Sequence, residues 1–205
     1  EEYLSGHVRS KLALAQEAAK TDPEYERNVA ALLDNQPPRI GIEDIGFRVG
    51  TIYIEPEMFQ DFVYETFQTP EWQRHRPNMR GYSKEITVNY SPEMNQWKVT
   101  NSSGMSDVLS TETYGTKRLN AYELTELLLN QKRAVVNDYR ELPDGRTERV
   151  FNAKETILAR ECQDKIEQAF HDWVMADKDR IQIIEDRFNA LFNNIKPRTY
   201  NGDYI

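Results

Sequence analysis

Two long helical repeats in the last quarter of the chain constrain the fold more than any other feature. Apolar residues recur at intervals of three or four from Leu158 to Trp173, and again from Ile181 to Ile195. Asn152, with Glu155 three positions later, is typical of a helix start, and Pro197 ends the second repeat. Because each repeat presents one apolar stripe, we predict two helices that pack as an antiparallel pair.

Shorter helices are predicted before this pair. Asp22 and Pro23 suit a helix start and divide residues 1–38 into a helical hairpin. Pro56 begins a third helix, and Asn120 caps a fourth. With the final pair, we expect about six helices.

Strand-like runs lie between these helices. Two runs around residues 91–95 form one predicted hairpin, and two runs around Pro143-Asp144-Gly145 form another, because Asp-Gly suits a tight turn. Residues 47–49 and 51–54 are also predicted as short strands. The predicted fold class is therefore α+β, with about six helices and two antiparallel β-hairpins.

The chain has no internal repeat, and no linker rich in Gly, Ser or Pro divides it. Its 205 residues suit one compact domain or two small ones, and we expect a single α+β domain over residues 1–205. The alternative is a subdivision into a helical hairpin (1–38), a mixed α/β part (39–151) and a helical pair (152–205).

Composition restricts the location and the partners. The formal net charge of −8, from 26 basic and 34 acidic residues, argues against a protein that coats nucleic acid. Cys162 is the single cysteine, which excludes an internal disulfide and fits a reducing compartment. The first residues are acidic where a signal peptide is basic, and the apolar runs are too short for a bilayer. We expect a soluble, cytoplasmic chain without a membrane partner.

Catalytic and cofactor motifs are incomplete. Gly41 and Gly46 have the spacing of a phosphate loop, but Phe47 and Arg48 replace its lysine and hydroxyl residue. The three histidines are far apart, and none belongs to a His-x-x-x-His pair. We therefore expect no catalytic residue, no cofactor and no metal ion.

Three other features have a structural explanation. Glu167 and His171, four residues apart on one predicted helix, suit a solvated salt bridge better than a pair of metal ligands. The carboxylates of the Asp177-Lys178-Asp179 sequence suit helix capping. Cys162 lies on an apolar stripe, which predicts a buried, unreactive thiol.

One segment retains a functional interpretation. Residues 71–84 (EWQRHRPNMRGYSK), here called the basic segment, carry four cations against one acid and include aromatic rings. Arginines can bind phosphates, and exposed rings can stack on unpaired bases. The candidate nucleic-acid-binding residues are Arg74, Arg76, Arg80, Lys84, Trp72 and Tyr82. The alternative is a solvated loop whose arginines pair with acidic neighbours; the second hairpin, with Arg140, Arg146 and Arg149, is a less favoured candidate.

Several stretches together resemble a known kind of protein. They are YLSGHVRSKLALAQEAAKTDPEYERNVAALLDNQPP, FRVGTIYIEPEMFQDFVYE, VNYSPEMNQWKVT, TYGTKRLNAYELTELLLN, NAKETILARECQDKIEQAFHDWVMADKDR and NALFNNIKPRTYNGDYI. They span nearly the whole chain and resemble the middle, pre-helicase part of very large phage and mobile-element proteins. Those proteins join an adenine-specific DNA methyltransferase to a superfamily-two helicase.

The resemblance implies that the chain is a domain excised from such a protein. Its sequence has no Asn/Asp-Pro-Pro-Tyr motif, no phosphate loop and no Asp-Glu-x-x box, so no catalytic residue of the family transfers to it. We expect a non-catalytic connector that engages DNA weakly, with single strands as one option. The flanking methyltransferase and helicase regions would be its other partners. The alternative is a purely structural or protein-interaction spacer between those catalytic regions.

Overall fold

The computed structural model describes residues 3–74, 85–102, 108–143 and 145–198. Within these ranges lie six α-helices and three two-stranded antiparallel sheets, so the predicted α+β class with two hairpins is confirmed. The helices are α1 (Val8–Ala19), α2 (Glu26–Leu33), α3 (Pro56–Thr66), α4 (Ala121–Leu129), α5 (Ala153–Met175) and α6 (Lys178–Phe192). The strands are β1 (Gly6–His7), β2 (Val88–Ser91), β3 (Gln96–Val99), β4 (Asn137–Glu141), β5 (Thr147–Phe151) and β6 (Ile195–Lys196).

The predicted hairpins are β2–β3 and β4–β5, and β1 pairs with β6. The chain forms two compact units: a central unit of residues 47–178, and a terminal unit of residues 1–46 with 179–205. These boundaries differ from the subdivision proposed from the sequence. Each C-terminal repeat forms one helix, but α5 and α6 fall in different units, so their antiparallel packing stays a prediction.

The terminal unit has a small core between α1 and α2. Its buried residues are Val8, Ala15 and Leu32. Asp22 accepts a hydrogen bond from the Glu24 N–H, as the sequence predicted, and starts a 3₁₀ turn that runs into α2. Short loops and an apolar stripe on each helix therefore give the predicted helical hairpin.

The core of the central unit is aromatic. Phe170 of α5 contacts two phenylalanines of α3, with ring centroids 5.3 Å from Phe59 and 5.1 Å from Phe62. Phe59 also meets Trp97 of β3 edge-on at 5.3 Å. Phe67 and Tyr122 of α4 extend the cluster at 5.3 Å. Aromatic burial of this kind supplies most of the apolar area that stabilises a small core.

Extended backbone in this unit is held by polar side chains of the helices. At α4, Asn130 accepts a hydrogen bond from the Trp97 N–H at 3.0 Å and donates one to the Trp97 carbonyl at 2.9 Å. On α5, Gln163 accepts from the Ala134 N–H and donates to the Lys132 carbonyl. An amide side chain can replace a neighbouring strand because it carries both a donor and an acceptor.

The predicted short strands at 47–54 are wrong, because these residues form turns. The Val49 N–H donates to the Glu167 carboxylate, and the Val49 carbonyl accepts from the Gln131 side chain. Gly50 has φ +81°, and a Cβ there would collide with the Leu129 carbonyl. The β-branched residues of this segment favoured strands, but the backbone groups of Val49 bond to side chains of distant residues and not to a neighbouring strand.

No helix in the described ranges is both long enough and apolar enough to span a membrane.

Candidate nucleic-acid interface

The basic segment begins on ordered structure. A 3₁₀ turn, Glu71–Gln73, follows α3, and the Ile86 N–H donates to the Gln73 carbonyl at 2.9 Å. The Tyr64 hydroxyl of α3 donates to the Ile86 carbonyl at 2.6 Å. The described chain on the two sides of residues 75–84 is therefore joined and fixed to α3.

Trp72 is exposed at this position. Its neighbour Gln73 is 4% exposed, whereas 64% of Trp72 is accessible to solvent. A large apolar ring left in water at a fixed position is a common feature of recognition surfaces. The Trp72 side chain, one of the two predicted stacking residues, is therefore accessible from solvent, and its stacking on a base stays a prediction.

Arg74 has a structural role. Its Nε donates to the Thr69 carbonyl at 2.7 Å, and its Nη2 donates to the Tyr64 carbonyl at 3.3 Å. The guanidinium also lies 5.8 Å from the Tyr64 ring centroid. A cation at the C-terminal end of α3 is stabilised by the carbonyl groups there. Its Nε and Nη2 are therefore committed to anchoring the loop.

The other predicted residues of the segment lie outside the described residues. They are Arg76, Arg80, Tyr82 and Lys84. Their contact with nucleic acid stays a prediction.

The β4–β5 hairpin presents a more complete surface. Asn137 pairs with Phe151, and Tyr139 pairs with Arg149, so these four side chains share one face. Tyr139 is 72% exposed and Phe151 is 57% exposed. We call this surface the aromatic face. Residues paired across an antiparallel ladder lie on the same side, so Arg149 shares this face with both rings, opposite Tyr139 and two residues from Phe151.

The opposite face of the hairpin is different in character. Asp138 pairs with Val150, and Arg140 pairs with Glu148. The third arginine of the hairpin, Arg146, lies in the turn, where its carbonyl accepts a hydrogen bond from the Leu142 N–H. Of the three arginines noted in the sequence, Arg149 alone therefore lies on the face that carries the exposed rings.

The base of the hairpin is tightly held. Arg118 donates to the Asp138 carboxylate at 3.0 Å and to the Asn137 carbonyl at 2.8 Å. Asn152, which caps α5, donates to the other Asp138 oxygen at 2.8 Å, and its N–H donates to the Val136 carbonyl. The hairpin therefore projects from a fixed base.

The sequence points to the hairpin arginines but not to the aromatic face. A two-residue turn at Asp144-Gly145 would pair Tyr139 with Val150, whereas the observed ladder pairs Tyr139 with Arg149 and Glu141 with Thr147. The face that Tyr139, Arg149 and Phe151 share therefore depends on a loop length that the Asp-Gly signal does not give. Arg118 gave no signal either, because its partners lie about 20 residues away.

Glu167 and Cys162, which were considered as metal ligand and nucleophile, have structural roles. Burial raises the pKa of the Glu167 carboxyl, and the hydrogen bond from the Val49 N–H partly offsets that effect. The predicted Glu167–His171 salt bridge is not among the described contacts. Glu167 accepts from the Val49 N–H, whereas His171 stacks on Phe47 with ring centroids 5.3 Å apart and has the Asp172 carboxylate 3.6 Å from its Nδ1. The burial predicted for Cys162 is confirmed, and burial raises the pKa of its thiol.

In the ranges that the structure describes, no group of three or more His, Cys, Asp or Glu side chains is placed to hold a metal ion.

The geometry defines an α+β domain with a projecting hairpin and an anchored loop carrying an exposed tryptophan. The chain belongs to the family described as "Domain of unknown function (DUF8437)", whose model matches residues 48–194. That range contains both the basic segment and the aromatic face. Comparison with curated proteins and with solved structures gave no match.

Proposed function

We propose that this chain is a non-catalytic connector that helps a larger DNA methyltransferase–helicase protein to engage DNA. The sequence resemblance suggests the setting, in which flanking regions would supply methyl transfer and ATP hydrolysis. The exposure of Trp72, 64% at the anchored start of a segment rich in cations, is the observation that carries the proposal.

The anchoring contacts favour this function because they hold the backbone beside Trp72 in place before a ligand arrives. Gln73 is bonded to Ile86, and Arg74 is bonded to the end of α3. Little conformational freedom of the backbone beside Trp72 is then lost on binding, which favours affinity. Cations at 76, 80 and 84 would supply the phosphate contacts, which account for most of non-specific DNA affinity.

A spacer that docks on protein is the second candidate, and Ile52 favours it. This side chain is 85% exposed in a turn whose backbone is held by Glu167 and Gln131. A fixed, exposed aliphatic residue suits a protein contact better than a nucleic-acid contact. Substituting Ile52→Ser should leave DNA affinity unchanged and weaken association with the flanking regions.

DNA titration with tryptophan fluorescence tests the main proposal. Trp97 is 6% exposed and Trp173 is half-buried, so a soluble quencher reports chiefly on Trp72. We expect single-stranded DNA to shield Trp72 from the quencher and duplex DNA to shield it less, because bases in a duplex are already stacked. Affinity should fall as salt is raised from low to physiological concentration.

The variant Arg76→Gln/Arg80→Gln should flatten the log–log salt slope by about one to two units. Arg27→Gln/Lys165→Gln is the matched control, since it removes the same charge from exposed positions of α2 and α5. Equal effects of the two variants would show that the salt slope depends on the net charge of the chain and not on phosphate contacts made by the basic segment. Absence of binding at low salt would favour the spacer.

A further inference from the structure

We propose that the aromatic face of the β4–β5 hairpin is a second binding surface, whose ligand is single-stranded nucleic acid. Only the choice of nucleic acid rests on the proposed function, since no residue is shared with the basic segment. The surface is a ladder of Asn137 opposite Phe151 and Tyr139 opposite Arg149.

The spacing of the rings suits unpaired bases. Tyr139 and Phe151 are diagonal neighbours across the ladder, which places such positions about 7 Å apart. That is about twice the 3.4 Å rise per nucleotide of one strand. Two exposed rings at this separation can stack on bases of one strand without requiring a particular sequence.

Arg149 shares this face with both rings and is already oriented. With the Asn137 amide oxygen turned toward it, Nε and Nη2 of Arg149 donate to that oxygen at 3.1 and 2.7 Å. A guanidinium has five N–H donors, so its Nη1 group has no partner among the described residues. A held guanidinium loses little side-chain entropy when it meets a phosphate.

The charges of the hairpin are divided between its faces. Asp138 and Glu148 lie on the opposite side, where Arg118 and Arg140 are their counterparts. On the aromatic face, the acidic Glu141 pairs with Thr147 at the turn end, beyond Tyr139. The part of the face beside the two rings is therefore cationic, which complements a phosphate backbone.

The pattern fits single strands better than a protein or a duplex. Tyr and Arg are also common at the centres of protein contacts, so the choice of a single strand rests on the charge of Arg149 beside two exposed rings, which complements a phosphate backbone with unpaired bases. A two-stranded ribbon can enter the major groove, but ring faces gain little there because duplex bases are stacked. The described contacts of the hairpin base keep the ribbon projecting from the unit.

Binding of a labelled oligothymidylate and of a duplex of equal length, both to the whole chain, tests this surface. Tyr139→Ala and Phe151→Ala should each weaken oligothymidylate binding by about five-fold to a hundred-fold, the range for losing one stacked base. Tyr139→Phe keeps the ring and should bind within about two-fold of the parent. Duplex affinity should not change in any of these variants.

Val150→Ala is the matched control, because Val150 is exposed on the same strand but on the opposite face. Normal oligothymidylate binding by both aromatic variants, or an equal loss in Val150→Ala, overturns the inference. If Arg76→Gln/Arg80→Gln weakens binding while the hairpin variants do not, the inference fails and the proposed function stands. If the chain binds no DNA, both fail.

Photo-cross-linking gives a readout that needs no variant. The parent chain bound to an oligonucleotide containing bromodeoxyuridine should yield adducts in the peptide that carries Tyr139 or Phe151. Adducts confined to other peptides contradict the inference.

Discussion

The two central hairpins have similar length and opposite surroundings. In β2–β3, the paired residues Val88 and Val99 are 3% and 1% exposed, and Trp97 is 6% exposed. In β4–β5, Tyr139 and Phe151 are both more than half exposed. Similar local sequence patterns therefore gave one hairpin that belongs to the core and one that projects from it.

The difference lies in what covers the strand edges. The N–H groups of β2–β3 are taken by helical side chains, with Gln60 at Val88 and Glu126 at Val99. Asn130 serves both backbone groups of Trp97. An isolated two-stranded hairpin is marginally stable in water. The contacts of Arg118 and Asn152 at its base therefore matter for β4–β5, whose outer part is exposed to solvent.

The largest expected effect separates the hairpins by burial. Trp97→Ala should reduce the free energy of unfolding by about 3–5 kcal/mol, because it leaves a cavity beside Phe59. Denaturant unfolding followed by circular dichroism measures this loss. A loss below about 1 kcal/mol would mean that β2–β3 is not part of the core.

Removal of an edge contact should have the next largest effect. Asn130→Ala leaves the N–H and carbonyl of Trp97 without their partner and should cost about 2 kcal/mol. Asn137→Ala is the control in the other hairpin, where water can replace the contact with Arg149. Equal losses in the two variants would show that edge coverage does not distinguish the hairpins.

The sequence predicted where the hairpins form but not which one is buried. Turn residues determine both positions locally, and the predicted Asn120 cap of α4, which accepts a hydrogen bond from the Glu123 N–H, is equally local. Coverage of β3 depends on Asn130, which is 33 residues from Trp97, and no local pattern contains that pairing. For the same reason, the turns at 47–54 were mistaken for strands.

The candidate site was predicted in part. The exposed Trp72 followed from its place in a polar, cationic segment, but the anchoring of Arg74 did not. Arg74 donates to backbone carbonyls at the end of α3 and just beyond it. Every residue has a backbone carbonyl, so the sequence does not show which of them will accept a hydrogen bond from an arginine. The aromatic face required the register of the hairpin as well as its location.

A change in the turn should have a smaller effect, confined to β4–β5. Gly145 has φ +80°, and a Cβ there would meet no atom within 4 Å. Gly145→Ala should therefore add backbone strain without a clash, costing about 1 kcal/mol. Hydrogen exchange should accelerate in β4 and β5 and stay unchanged in β2 and β3. Acceleration in both hairpins would show that they open as one unit.

The smallest expected effect is on the aromatic face itself. Tyr139→Ala and Phe151→Ala should each change the free energy of unfolding by no more than about 0.5 kcal/mol, because both side chains are mostly in water. Thermal melts at two protein concentrations measure this and also report self-association. A loss above about 1 kcal/mol, or a melting temperature of the parent chain that rises with concentration, would mean that another protein surface covers these rings. The two hairpins would then both be buried, β2–β3 by the helices of its own unit and β4–β5 by another protein molecule. Unchanged stability together with weakened oligothymidylate binding would separate recognition in β4–β5 from packing in β2–β3.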